Sequence, residues 1–198
     1  MNKAEIIFVN EGYAISTRGG WKVNSSNMLV KSDNILIVCD PGCNKFILDN
    51  SFNANNLSYS DVDFVFLSHN HIDHILLAGL FDNAKIISYE NYFYDKDNLS
   101  EINADLITKD IKRIHTPGHC NDHYSLLINT NSGVYCFAGD VFWFLDNEIS
   151  STEISKVDPL VSDEEMALKL QKSRDYILKN SDIIIPGHGK QFHSKKQH

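Results

Sequence analysis

Three imidazoles and one carboxylate fall within six residues at His69-Asn70-His71-Ile72-Asp73-His74. Neutral imidazole and ionised carboxylate suit zinc, iron or manganese, and so dense a cluster is hard to explain as packing or surface decoration. Three later segments each set a further donor beside a glycine: Thr116-Pro117-Gly118-His119, Ala138-Gly139-Asp140 and Pro186-Gly187-His188. Each follows an apolar or alternating run, and glycine lets the backbone turn sharply enough to aim the next side chain across a sheet end. Seven candidate ligands result: His69, His71, Asp73, His74, His119, Asp140 and His188. Divided between two cations with Asp140 bridging, they leave open positions for water and substrate, which marks a catalytic rather than a structural site.

The elements that must position these donors read as strands that end at the cluster. Asp63-Phe64-Val65-Phe66-Leu67 is a short buried strand, and Ile75 to Phe81 reads as the first turns of a helix with Asp73 and His74 near its start. The cluster therefore lies where a strand hands over to a helix, at the end of a sheet, where α/β proteins place their sites. Upstream, residues 5 to 16 read as one strand. Ser26 to Lys31 and Ile35 to Asp40 read as a hairpin over Ser32-Asp33-Asn34, with Pro41-Gly42 ending the second strand. A helix is expected over about 44 to 56, and further strands near Lys85 to Tyr89 and around Ile107 to Ile114.

The second half repeats the theme. Tyr124 to Asn129, a turn at Asn131-Ser132-Gly133, and Val134 to Asp140 form a second hairpin whose far strand also ends in an Asp beside a Gly. Two similar halves predict a pseudo-symmetric sandwich. A polar loop spans Asp146 to Pro159, and Ser162-Asp163-Glu164-Glu165 reads as a capping box opening a helix through Leu178. Asp182 to Ile185 reads as the buried strand that delivers His188. The polar tail from Lys190 to His198 is expected to fray, with no functional role for His193 or His198.

A chain of 198 residues with 42% hydrophobic content is expected to form one domain, and 18 Lys and Arg against 26 Asp and Glu give a formal charge of −8. That balance weighs against a polyanionic partner, although bound cations reverse the charge at a site. The N-terminus lacks the apolar core of a signal peptide and no stretch approaches about 20 apolar residues, so a cytoplasmic protein with no membrane association is expected. Cys39, Cys43, Cys120 and Cys136 read as reduced thiols in a chain too large to need disulfides.

With these motifs in order, at spacings of 45 residues from His74 to His119, 21 to Asp140 and 48 to His188, the chain resembles the metallo-β-lactamase-fold hydrolase superfamily from about residue 6 to 190. The resemblance implies an α/β, four-layer αββα sandwich with two metals at one edge of its sheets. It implies that His69, His71 and His119 hold one metal and Asp73, His74 and His188 the other, with Asp140 bridging and Asp40 hydrogen-bonding a ligand from behind. Two divalent ions are implied, zinc first, with iron or manganese also suited. A hydroxide shared between them would be the nucleophile, oriented by Asp73, on an ester, thioester, lactone or phosphodiester.

Within the superfamily, true β-lactamases of the commonest subclass use a Cys where this chain has Asp140 and lack the counterpart of His74, so that activity is not expected. Glyoxalase II enzymes carry a C-terminal helical domain and long RNA-processing members an additional domain, and neither is expected here. The text Leu-Ser-His-x-His-x-Asp-His, Thr-Pro-Gly-His-Cys and Ala-Gly-Asp-Val-Phe looks most similar to the small single-domain group of metallo-β-lactamase domain-containing proteins. That group implies an endoribonuclease acting on single-stranded RNA. The alternatives are a small-metabolite thioesterase or lactonase, an iron-dependent sulfur dioxygenase, and a metal-binding protein without turnover. Homodimerisation is left open. Around the site, His115 is expected to be structural, and Asn121, Asp122 and His123 to serve either the loop or the substrate. Phe142 and Trp143 should be core or pocket wall, and Trp21 should line the entrance.

Overall fold

A computed structural model describes residues 3–90, 92–102 and 106–194. The chain begins with strands β1 (Glu5–Asn10), β2 (Tyr13–Thr17), β3 (Gly20–Asn24), β4 (Asn27–Ser32) and β5 (Ile35–Cys39). Helix α1 (Lys45–Ala54) leads to β6 (Phe64–Phe66), the single-turn α2 (Ile72–Ile75) and β7 (Lys85–Ile87). A hairpin of β8 (Tyr92–Asp95) and β9 (Asn98–Glu101) precedes β10 (Leu106–Thr108), β11 (Ile111–His115), β12 (Tyr124–Thr130) and β13 (Gly133–Trp143). Helix α3 (Glu164–Asn180), β14 (Ile183–His188) and β15 (Phe192–His193) complete the described elements.

One sheet has the order β1-β4-β5-β6-β7-β8-β9 and the other β10-β11-β12-β13-β14-β15, while β2 and β3 form a separate ribbon. Strand alternation divides the apolar residues into three clusters, and these define the layers. Met28, Val30, Ile37, Cys39 and Phe66 face Ile111, Leu126, Ile128, Phe137 and Ile185 between the sheets. Leu29, Val38, Val65 and Leu67 point the other way and pack with Leu48 and Phe52 of α1. On the far side, Cys136, Ala138 and Ile184 pack against Leu170 and Ile177 of α3. The result is the expected αββα sandwich. Its two sheets share a three-strand unit: β4-β5 is antiparallel and β5-β6 parallel, as β12-β13 is antiparallel and β13-β14 parallel.

Several boundaries differ from the sequence reading for identifiable reasons. The strand expected over 5–16 divides at Glu11-Gly12, because Gly12 leaves the sheet to bridge Gly189, and its N–H donates to Ser26 Oγ at 2.9 Å. The first hairpin turns on Asp33 and Asn34 alone, at φ 51° and 69°, with Ser32 paired to Ile35; two positive-φ residues make the tight turn that matches strand twist. The helix expected from Ile75 to Phe81 stops after one α-turn, because Leu77 N–H donates to Gly42 O rather than continuing the ladder, and a 3-10 turn follows at Ala78–Leu80. The run 107–114 is two strands joined at Lys109-Asp110. The N-cap of α3 is Asp163 rather than Ser162: its carboxylate accepts from the N–H groups of Glu165 and Met166. In the expected frayed tail, Phe192 and His193 pair with β14, and His198 lies outside the described residues.

Candidate metal centre

Every sequence-predicted ligand reaches one edge of the two sheets. His69 to His74 occupy the loop after β6 and the single turn of α2, whose N-cap is His71. His119 follows β11, and His188 ends β14. Asp140 lies inside β13, not at its end, because that strand runs on to Trp143. What aims it is a register shift at Gly139, which takes φ 54°.

The carboxylate of Asp140 stands between two sets of imidazoles. Its Oδ2 lies 3.6 Å from Nε2 of His69 and 3.4 Å from Nε2 of His119, and its Oδ1 lies 3.3 Å from Nε2 of His74 and 3.7 Å from Nε2 of His188. His71 joins the first set through Nδ1, 3.1 Å from His119 Nε2. Asp73 joins the second through Oδ2, 3.2 Å from His188 Nε2. The donors of His69, His71, His119 and Asp140 all lie within 4.8 Å of one another, as do those of Asp73, His74 and His188.

Partners behind the rings fix which nitrogen faces the centre. His74 Nδ1 lies 2.7 Å from Asp40 Oδ2, and His119 Nδ1 lies 2.7 Å from Asp158 Oδ2. His188 Nδ1 donates to the carbonyls of Tyr13 and Asn24 at 3.1 Å. Ser68 Oγ donates to Asp40 Oδ2 and so receives the Nδ1–H of His69 at 2.9 Å. Each of these acceptors requires a proton on Nδ1, so four Nε2 atoms are directed inward, where each can offer a lone pair to a cation. Nε2 of His69 and His74 and Oδ1 of Asp140 are buried without a hydrogen-bond partner. Burying such acceptors is costly unless something cationic satisfies them, so the residues present fit a pair of divalent cations.

The electrostatics divide the imidazoles. Burial, reinforced by the neighbouring imidazoles, pushes His69 well below its ordinary value, and burial with His119 lowers His71. Burial also opposes a charge on His74, but the carboxylates of Asp140 and Asp40 outweigh it and hold its pKa well above the ordinary value. His119 is raised in the same way by Asp158 and Asp140 against burial. Burial works against the charge on Asp140, yet His74 and His188 overcome it and keep that carboxyl far below the usual range.

Other expectations resolve in the same neighbourhood. Asp40 is buried at φ 40°, and its Oδ1 accepts the Ser68 N–H at 2.7 Å, so it organises the cluster as well as His74. His123 does not face substrate: it lies buried beneath the centre, accepting the Asp140 N–H on Nε2 at 3.2 Å and meeting Thr116 Oγ1 through Nδ1. His115 is exposed and bonded to Asn121 O, a structural role. Asn121 and Asp122 are exposed. Phe142 is core against Phe192, and Trp143 is wall. Asp158 and Ser68 were not singled out from sequence; a lone Asp in a polar loop carries no local signal.

Beside the donors opens a cleft of about 250 Å³ lined by Ala14, Trp21, Val23, Trp143, Pro159 and Leu160, with His71, Asp73, Asp140 and His188 at its base. None of these ten residues is Lys or Arg. Trp21, 53% exposed on the β2–β3 ribbon, stands at the entrance as expected.

The sequence model of the metallo-beta-lactamase superfamily matches residues 20–92. Metallo-beta-lactamase domain-containing protein 1 of Xenopus laevis is 30% identical over 191 residues, covering 92% of this chain and 78% of that protein. The chain spans about half the length of other curated relatives, 50% of the Mus musculus protein of the same name. An N-acyl homoserine lactonase of a Bacillus species is 28% identical over 145 residues, covering 65% of this chain and 56% of the lactonase. Among solved structures, a Thermotoga maritima protein provisionally called a metallo-beta-lactamase superposes with a TM-score of 0.71 at 21% identity, covering 96% of this chain and 98% of that one. The shared sandwich, the ordered His and Asp motifs and the 30% identity over 191 residues together place this chain in the metallo-beta-lactamase superfamily.

Proposed function

We propose that this chain is a dinuclear metal-dependent hydrolase of small, neutral lactones or esters. The observation that carries the reading is the division of Asp140: one carboxylate oxygen faces His69 and His119, the other His74 and His188. On this reading His69, His71 and His119 would hold one cation and Asp73, His74 and His188 the other, with Asp140 placed to serve both. Zinc suits the donor set best, with iron or manganese also compatible. Such cations, when bound, lower the pKa of water to about 7 and polarise a carbonyl oxygen.

The chain's own residues supply the rest. Asp40, Ser68, Asp158 and the carbonyls of Tyr13 and Asn24 hold four rings in one tautomer. Asp73 stays ionised, since His188 lowers its pKa against the effect of burial, and at the base of the cleft its carboxylate orients the attacking water by accepting a hydrogen bond. Trp21, Val23, Trp143 and Leu160 give an apolar wall for an acyl group. The ten residues that line the cleft include no Lys or Arg to track a phosphodiester backbone beyond the cations themselves, and its apolar wall suits a neutral acyl substrate. The similarity to an N-acyl homoserine lactonase supports the same substrate class.

The test is acid release from N-hexanoyl-L-homoserine lactone by zinc-loaded protein, with Asp140→Ala as control. Turnover that falls at least about 100-fold in the variant supports the reading. Cleavage of an end-labelled single-stranded RNA, with no lactone or ester turned over by protein holding two zinc ions, would replace it with a nuclease.

A further inference from the structure

The loop between β13 and α3 is pinned at two places. Arg174 of α3 donates through Nε to Val141 O at 2.8 Å and through its terminal nitrogen to Ile154 O at 3.1 Å and to Lys156 O. Two residues further, Asp158 turns inward and is buried. Its Oδ2 lies 2.7 Å from His119 Nδ1, and its Oδ1 accepts the Leu160 N–H at 2.9 Å. Pro159 and Leu160, which follow directly, form one side of the cleft, and Leu160 is 64% exposed there. One carboxylate thus touches both a metal-facing ring and the backbone of the substrate wall.

We propose that Asp158 is a positioning residue that couples the apolar wall at Pro159-Leu160 to cation binding at His119. A ring that binds a cation through Nε2 becomes a stronger donor at Nδ1, and a carboxylate on Nδ1 in turn raises the basicity of Nε2. Loading the site therefore tightens the His119–Asp158 bond, which holds Asp158 in the rotamer that anchors the Leu160 N–H. The wall is therefore held more firmly with metal bound than without it. The substrate consequence rests on the lactone and ester reading above; the metal-to-loop coupling does not.

The experiment follows amide hydrogen exchange across 154–162 during zinc titration of metal-free protein, for the wild type and Asp158→Asn, with zinc affinity measured in parallel by chelator competition. Zinc is expected to slow exchange of this segment in the wild type. The variant should bind one of its two zinc ions about 10–100-fold more weakly and should lose the zinc-dependent slowing even at saturation. A merely structural role would speed exchange with and without zinc and leave the zinc response intact, which overturns the proposal. Absence of any zinc-dependent slowing in the wild type overturns it without recourse to a variant, should Asp158→Asn fail to fold. Rates on N-butanoyl and N-decanoyl homoserine lactones add a separate readout, where the variant should narrow the wild-type preference between them. If the wild type turns over neither lactone yet shows the coupled protection, the substrate reading fails and the coupling stands.

Discussion

Oδ2 of Asp40 lies 2.7 Å from Nδ1 of His74, and both side chains are fully buried. The same carboxylate accepts the N–H and hydroxyl of Ser68, at the end of the strand that delivers His69. Asp40→Ala strands a buried ring N–H and a buried backbone N–H. It should cost the metal-free protein about 1–3 kcal/mol in denaturant unfolding. Zinc affinity should fall about 10–100-fold by chelator competition. Affinity unchanged within twofold would show that the ring needs no support from behind.

Gly187 sets the distance between β14 and Asp140. A Cβ built there would lie 1.8 Å from Asp140 Oδ1, so Gly187→Ala must displace the carboxylate placed between the two sets of imidazoles. The crowding should destabilise by about 1–3 kcal/mol. A shift of about 1 Å at such a group should lower kcat/KM on the order of 100-fold, with less than two equivalents of zinc retained after gel filtration. Full zinc content with unchanged turnover would mean that Asp140 is not the bridge.

The donors themselves were legible in the sequence because each is announced locally: His69 to His74 by density, His119, Asp140 and His188 by a glycine beside them. The hairpin at Lys31 to Ile35 was legible for a similar reason, since Asp33 and Asn34 tolerate positive φ. What escaped depends on partners far along the chain. Glu11-Gly12 breaks a run that alternates well enough for one strand, because Gly12 must fit against Ser26 and Gly187. The single turn of α2 stops because Gly42 O captures Leu77 N–H. The β8–β9 hairpin lies in a stretch rich in Asp, Asn and Lys, where little apolar alternation shows. Asp158 reaches His119 across 39 residues of sequence, and nothing in its neighbours predicts that.

The four cysteines are free, and each resists ionisation. Burial raises the thiols of Cys39 and Cys136 well above the ordinary range, and burial with Asp122 pushes Cys120 up to about 12. Cys43 is raised by burial and by Asp73. The thiolate is the reactive form, so folded protein at pH 7.5 should react with a disulfide reagent at least about 10-fold more slowly than free cysteine, and at the free rate once denatured. Fast labelling of Cys120 in the folded protein would show that its thiol escapes the burial seen beside His119.

Loading the centre must move protons, and the sign follows from which imidazoles hold them. Burial keeps His69 and His71 neutral below the ordinary imidazole range, so they bring no proton to be displaced. Asp140 and Asp40 hold His74 well above that range, and Asp158 and Asp140 raise His119, so these are the two rings at which a second proton competes with a cation. Asp140 and Asp73 are already ionised. A cation at Nε2 of these rings must displace any such proton, so zinc affinity should rise with pH and fall steadily in acid. Calorimetric titration near pH 7 in two buffers of different ionisation enthalpy should show net proton release. Asp158→Asn should reduce that release, because it removes one of the two carboxylates that raise His119. Proton-neutral binding in the wild type would show that both rings are unprotonated before any metal arrives.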